Sequence, residues 1–142
     1  MLRLARTPRR VAAAAVLAIA AGCSSDATSP QQQFAGTYTL RTVGGQGLPV
    51  VVDQSSGTTT AIAADVYTFS SDGTFTEQLV LTFTQGTSST SQTQSYNGTW
   101  TISGSTVTVN DATENQTFTA TFSGSNTLTY NEPSIGVFVY QK

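Results

Sequence analysis

Two carboxylates are the residues that type and spacing best suit to acid–base chemistry. Asp65 and Glu77 lie in two strand-like segments on either side of a turn, and each falls among the inward-facing apolar residues of its segment. Two carboxylates held inside a fold can serve as general acid and general base, as in sugar hydrolysis. The alternatives are a loop position for Asp65 and an outward-pointing bulge at Glu77, either of which would separate the two groups.

The remaining reactive side chains argue against an enzyme. The chain has no histidine, the commonest general base and metal ligand, and its one cysteine is Cys23. No hydroxyl has an obvious partner base that would make it a nucleophile. The acids are scattered along the chain, which is a poor arrangement for binding a metal ion. We therefore predict no enzymatic activity, no cofactor and no metal site.

Cys23 follows a segment typical of secretory signal peptides. Residues 1–10 carry four arginines and no acid, and residues 11–21 are small and apolar but too few to span a bilayer as a stable helix. The end of this segment, Ala20-Ala21-Gly22-Cys23, resembles the lipobox of bacterial lipoproteins. The resemblance implies cleavage between Gly22 and Cys23 and lipidation of Cys23, whose acyl chains would anchor the protein in a membrane.

The residues after the cysteine extend this prediction. Ser24 directly after Cys23 is, in lipoproteins of this type, compatible with transfer to the outer membrane, so the resemblance implies a cell-envelope protein on its periplasmic or surface face. The following stretch SSDATSPQQQ is polar and typical of a flexible tether. The predicted organisation is a signal peptide at 1–22, a lipidated cysteine and tether at 23–33, and one domain at 34–142.

Charge restricts the partners of the mature chain. Residues 23–142 contain only Arg41 and Lys142 as cations against eight acids, a formal net charge of −6. Binding to a phosphate backbone requires clustered cations, so we predict no nucleic-acid partner. A domain of this size can bury one core, and we expect it to be monomeric.

The pattern from residue 34 onward predicts an all-β fold. Segments such as FAGTYTL, TFTEQLVLTF, YNGTWTI and TFTATF alternate apolar and polar residues, as half-buried antiparallel strands do. Asp72-Gly73 between two such segments predicts a tight hairpin. Residues 59–67 are compatible with a turn of helix or a strand, and residues 86–94 with a long loop or two strand ends. We predict a single antiparallel up-and-down β-barrel of about eight to nine strands.

The order of these segments resembles the lipocalin-like domains of bacterial lipoproteins. FAGTYTLRTVGGQGLP is similar to the first-strand pattern of that group, VYTFSSDGTFT to its hairpin, YNGTWTISGSTVTV to its Gly-x-Trp strand and GVFVYQK to its closing strand. The resemblance implies a barrel closed at one end near Gly36 and Tyr38, with Lys142 or Arg41 covering the Tyr38 ring. It also implies an internal pocket.

Two functions remain open on the sequence alone. One is binding of a small apolar ligand in the pocket, with the inward aromatic residues as its lining: Tyr67, Phe69, Phe83, Tyr96, Trp100, Phe118 and Tyr130. The other is a structural or interaction module of the envelope, in which the same side chains fill the barrel and no small ligand binds. The predicted partners are thus the membrane, through the N-terminal lipid, and a small hydrophobic ligand.

Overall fold

The computed structural model describes residues 28–142 as one helical turn followed by antiparallel strands. The predicted signal peptide, the predicted cleavage site and Cys23 lie outside the described residues. The elements are α1 Pro30–Phe34, β1 Gly36–Val43, β2 Gln46–Gly47, β3 Val50–Ser55, β4 Thr58–Phe69, β5 Thr74–Gln85, β6 Ser88–Ser103, β7 Thr106–Asp111, β8 Gln116–Ser123, β9 Thr127–Glu132 and β10 Gly136–Gln141.

Eight of the ten strands close into a barrel, which confirms the predicted all-β fold. From β4 to β10 each strand pairs antiparallel with the next, β10 pairs with β1, and β1 returns to pair with β4. Closure satisfies the backbone groups that an open meander would leave unpaired at its two edges. The remaining strands, β2 and β3, lie outside the ring and bring the strand count to ten.

The two additional strands lie where β1 and β4 diverge. The first half of β1 pairs with the last four residues of β4, from Gly36↔Phe69 to Thr39↔Val66. Beyond that point β2 pairs with β1, and β3 pairs with the first half of β4. The barrel is therefore closed near the start of β1 and splayed toward the end of it. We call these two ends the closed end and the open end.

Aromatic side chains fill the closed end. The Trp100 ring lies edge-on to Phe69 at 5.2 Å between centroids, and its Nε1 donates to the Ser70 carbonyl oxygen at 2.9 Å. Tyr38, fully buried, donates its hydroxyl to Phe34 O and Ser125 O. Burial of large rings with their polar tips satisfied makes this end a packed core.

Helix α1 covers the closed end. Ser29 caps the helix by accepting from the Gln32 backbone N–H, and the Gln32 side chain accepts in return from the Ser29 N–H. Phe34 at its end stacks on Phe122 with centroids 4.6 Å apart. The last residues of the predicted tether, from Pro30 on, thus form part of the folded domain.

Lys142, and not Arg41, lies over the Tyr38 ring. Its Nζ is 5.6 Å from the ring centroid and donates to the Ala35 carbonyl oxygen. Gly36 has a φ of +145°, and a Cβ there would lie 2.2 Å from Lys142 Cε. The glycine therefore allows the lysine chain to pass directly over the backbone.

The segment at 86–94 is not a long loop: residues 86–87 form a turn, and the rest belongs to β6, so two strand ends meet at a turn. β5 and β6 pair without interruption from Thr74↔Thr99 to Gln85↔Ser88. The far end of this hairpin also pairs, through β5, with the first half of β4, and its β6 side carries exposed Ser and Thr side chains. The segment at 59–67 is likewise strand, within β4. The Asp72-Gly73 turn joins β4 to β5 as expected.

Candidate ligand-binding site

A cavity of about 380 Å³ occupies the open half of the barrel. It differs from the closed end in chemistry, because carboxylates and tyrosine hydroxyls replace the packed rings. The carboxylates are Asp65, Glu77, Asp111, Glu114 and Glu132; the tyrosines are Tyr67, Tyr96, Tyr130 and Tyr140; the apolar side chains are Val52, Ile62, Leu79, Leu81, Ile135 and Phe138. None of these lining residues is a cation.

Strand alternation points these acids inward. Glu77 continues the inward face that begins at Phe75, Asp111 follows Val107 and Val109 on β7, and Glu132 follows Tyr130 on β9. Asp111 and Glu132 lie on the open-end side of the apolar residues on their own strands, whereas Leu79 and Leu81 follow Glu77 on β5. Closure of the ring then gathers acids that are far apart in sequence around one space.

A bulge in β4 is needed to place Asp65 there. The register with β5 shifts between Ile62 and Ala64, so one residue is inserted into β4. Ile62 and Asp65 are separated by an odd number of positions and would face opposite sides of a regular strand. With the bulge, both line the cavity, and Asp65 shares its face with Tyr67.

Asp65 and Glu77 form a buried carboxyl pair at the bottom of the cavity. The pairs Asp65↔Leu79 and Tyr67↔Glu77 make the two acids diagonal neighbours on adjacent strands. Asp65 is 2% exposed and Glu77 8%. Asp65 Oδ2 accepts from the Tyr140 hydroxyl at 2.7 Å, while Oδ1 has no hydrogen-bond partner among the described residues.

Burial changes the protonation of this pair. Loss of hydration raises the pKa of Asp65 above its usual range, against the opposing effect of the hydrogen bond from Tyr140. Loss of hydration, and then repulsion from Asp65, raises the pKa of Glu77. Burial also raises the pKa of Tyr140 and of Tyr67, so both hydroxyls stay protonated and available as donors.

The other acids of the cavity are held by local hydrogen bonds. Glu132 accepts from the Tyr130 hydroxyl at 2.7 Å and from Ser134 Oγ at 3.0 Å, and the first of these bonds lowers the pKa of Glu132. Asp111 Oδ1 accepts the backbone N–H groups of Thr113 and Glu114 in the turn after β7. Asp111 is buried, Glu132 is half-buried and Glu114 is exposed.

Three of the seven aromatic residues predicted to contact a ligand line the cavity, namely Tyr67, Tyr96 and Tyr130. Phe69 and Trp100 belong instead to the closed-end core, where both are almost fully buried. Both side chains point into the barrel as predicted, but they lie in the packed closed end and not beside the cavity.

The other two predicted residues are half-buried and do not line the cavity. Phe83 lies on β5 beyond Leu81, and Phe118 on β8 packs against Tyr130 with centroids 5.0 Å apart. Phe118 therefore packs against a lining residue without lining the cavity itself.

Several residues of the site were not singled out from the sequence. Asp111 and Glu132 carry a usable signal, because each follows two inward residues at a spacing of two. Tyr140 has the same signal after Phe138. Glu114 and Ile135 lie in turns, where alternation indicates no direction, and no sequence pattern identifies them.

Comparison with known protein families, with curated proteins and with solved structures found no match to this chain. Within residues 28–142, no group of three or more potential metal ligands is arranged to hold an ion. No helix in that range is long and apolar enough to cross a membrane.

Proposed function

We propose that this domain binds a small ligand, with an apolar body, in the cavity at the open end of the barrel. The observation that carries the proposal is the contrast between the two ends. Rings such as Phe69 and Trp100 fill the closed end completely, whereas about 380 Å³ stays open beyond Tyr67. This volume lies in the range of small-molecule sites, and it is bounded by apolar walls with a few polar groups.

The proposal includes an envelope location for the chain. A lipid on Cys23 would hold the domain at a membrane, with the outer membrane as the expected one. This part is supported by the residues around the lipobox-like sequence alone, and radiolabelled fatty acid incorporated by the wild type but not by Cys23→Ala would establish it. Absence of label from the wild type would exclude it.

The binding proposal is tested with a neutral, polarity-sensitive probe such as N-phenyl-1-naphthylamine. We expect saturable fluorescence enhancement with the purified protein. Leu79→Trp should abolish it, because the larger ring would occupy the cavity that Leu79 lines. Val137→Trp is the matched control, since Val137 is 44% exposed on the outside of β10 and does not line the cavity.

Two outcomes would contradict ligand binding. Failure of the probe to bind, or equal binding by the wild type and Leu79→Trp, would favour the interaction module. The extended hairpin of β5 and β6, with its exposed hydroxyl ladders Thr82–Ser91 and Thr84–Ser89, would then be the surface to examine.

A further inference from the structure

The cavity gathers negative charge without a compensating cation. Five of the eight acids of the sequence line it, and none of its lining residues is Lys or Arg. Of the two cations among the described residues, Arg41 is exposed on β1 and Lys142 is committed to Ala35 and Tyr38 at the closed end. The described residues therefore supply no cation to this cavity.

An unsatisfied buried acceptor marks the bottom of the same cavity. Asp65 is 98% buried, its side chain lines the cavity, and its Oδ1 accepts no hydrogen bond from the described residues. A buried acceptor without a donor is destabilising, so a donor brought by a ligand would be favoured at this atom. A positively charged donor would in addition neutralise the carboxyl pair.

The remaining lining suits a cation with an apolar body. The faces of tyrosine rings attract cations, and four tyrosines line this space. Leu79, Leu81 and Phe138 provide apolar walls for the rest of such a ligand. An anionic ligand such as a carboxylate would instead meet five acids.

We infer that the ligand is an organic cation, an ammonium group carried on an apolar body, whose N–H donates to Asp65 Oδ1. This inference rests on the proposed function and names its ligand class. The ammonium would take the place of a proton that Glu77 retains when the cavity is empty, and Asp65 Oδ1 would gain the donor that it lacks. The only bond broken is the O–H bond of the Glu77 carboxyl, whose proton passes to the buffer.

The ionisable groups that face the carboxyl pair determine whether an ammonium group can replace its proton at neutral pH. They are Tyr67 on β4, Tyr96 on β6, Asp111 on β7, Glu114 in the turn after β7, Tyr130 and Glu132 on β9, and Tyr140 on β10. The tyrosines with raised pKa stay neutral, and the other acids that line the cavity increase the attraction for a cation.

Three ligands of equal chain length separate charge from apolar burial. Octylammonium, 1-octanol and octanoate are titrated into the purified protein by isothermal calorimetry at pH 7. We expect octylammonium to bind about tenfold or more tighter than 1-octanol, the usual gain for a charged hydrogen bond, and octanoate to bind most weakly. Titration in two buffers of different ionisation enthalpy should report proton release with octylammonium only.

Two variants test whether Asp65 is the acid that causes the preference for octylammonium. Asp65→Asn should remove most of the preference for octylammonium and leave 1-octanol affinity unchanged, while Asp53→Asn, an exposed acid outside the cavity, should change neither. The comparison among the three ligands requires no variant, so the inference stays testable if Asp65→Asn does not fold. Equal binding of octylammonium and 1-octanol would overturn the cation inference and leave the proposed function standing. No binding of any of the three would overturn both.

Discussion

Removing the two buried carboxyls should change how stability depends on pH. In the native state the Asp65–Glu77 pair has raised pKa values, whereas both groups return to ordinary values of about 4 when the chain unfolds. Between these limits the native state binds more protons than the unfolded state. The free energy of unfolding contributed by the pair therefore falls as pH rises above 4, until the native pair itself ionises.

The magnitude follows from the number of protons retained. One proton held in the native state and lost on unfolding changes the free energy of unfolding by about 1.4 kcal/mol per pH unit. The double variant Asp65→Asn/Glu77→Gln has no carboxyl at either site. Its stability relative to the wild type should therefore rise by about 1.4 kcal/mol for each retained proton between pH 5 and pH 6.

Urea unfolding followed by Trp100 fluorescence measures this difference, because Trp100 is 1% exposed in the native state and becomes solvated on unfolding. Hydrogen bonds from Thr74 and Tyr130 lower the pKa values of Asp72 and Glu132, which produces the opposite trend, but both proteins share it. Asp53→Asn controls for loss of an exposed acid. Parallel pH profiles for the wild type and the double variant would refute the reasoning.

Three further substitutions test the closed end and its supports by thermal or urea unfolding. Gly98→Ala should destabilise by about 2 kcal/mol, because its Cβ would lie 2.0 Å from a backbone oxygen of β7, whereas Gly47→Ala, with open space around it, should be nearly neutral. Lys142→Met should cost about 1 kcal/mol through loss of the cation–π contact, and the outward Arg41→Met should cost less. Phe34→Ala should cost about 2 kcal/mol by removing a stacked, half-buried ring.

The outcomes that would contradict these expectations are specific. Equal effects of the two alanine substitutions would mean that β6 and β7 can separate at no cost near Gly98. Equal effects of the two methionine substitutions would mean that the lysine acts through net charge alone. No loss from Phe34→Ala would mean that α1 does not contribute to the stability of the barrel.

Alternation was enough to predict the strands and their inward faces. Each barrel strand buries side chains at a spacing of two, so Trp100, Phe122 and Leu128 could be assigned to the interior from the pattern alone. The closed ring itself followed from the rhythm of short turns, because a meander of about eight strands removes its edges by closing.

Depth along the barrel could not be predicted in the same way. Phe69 and Tyr67 lie on one face of one strand, yet the first belongs to the filled core and the second lines the cavity. At one end α1 packs against the barrel through Phe34, and at the other end β1 and β4 pair with β2 and β3 instead of with each other. These are contacts between elements, and alternation within one strand carries no information about them.

The sequence predicts Asp65 and Glu77 as a pair of interior carboxyls, but it does not predict the cluster of five acids around the cavity. The alternation of apolar and polar residues predicts that Asp65 and Glu77 face the interior. The bulge between Ile62 and Ala64 allows Ile62 to face the interior as well. Asp111 and Glu132 lie on strands that are distant in sequence, and only ring closure brings them to the same space.

The position of α1 also decides which way the cavity looks. The chain reaches the barrel at Pro30, at the closed end, and the opening is at the opposite pole. If Cys23 carries the proposed lipid, the membrane attachment joins the domain at the closed end and the cavity opens at the end farther from that attachment. The proposed ligand would then reach the cavity from the surrounding water.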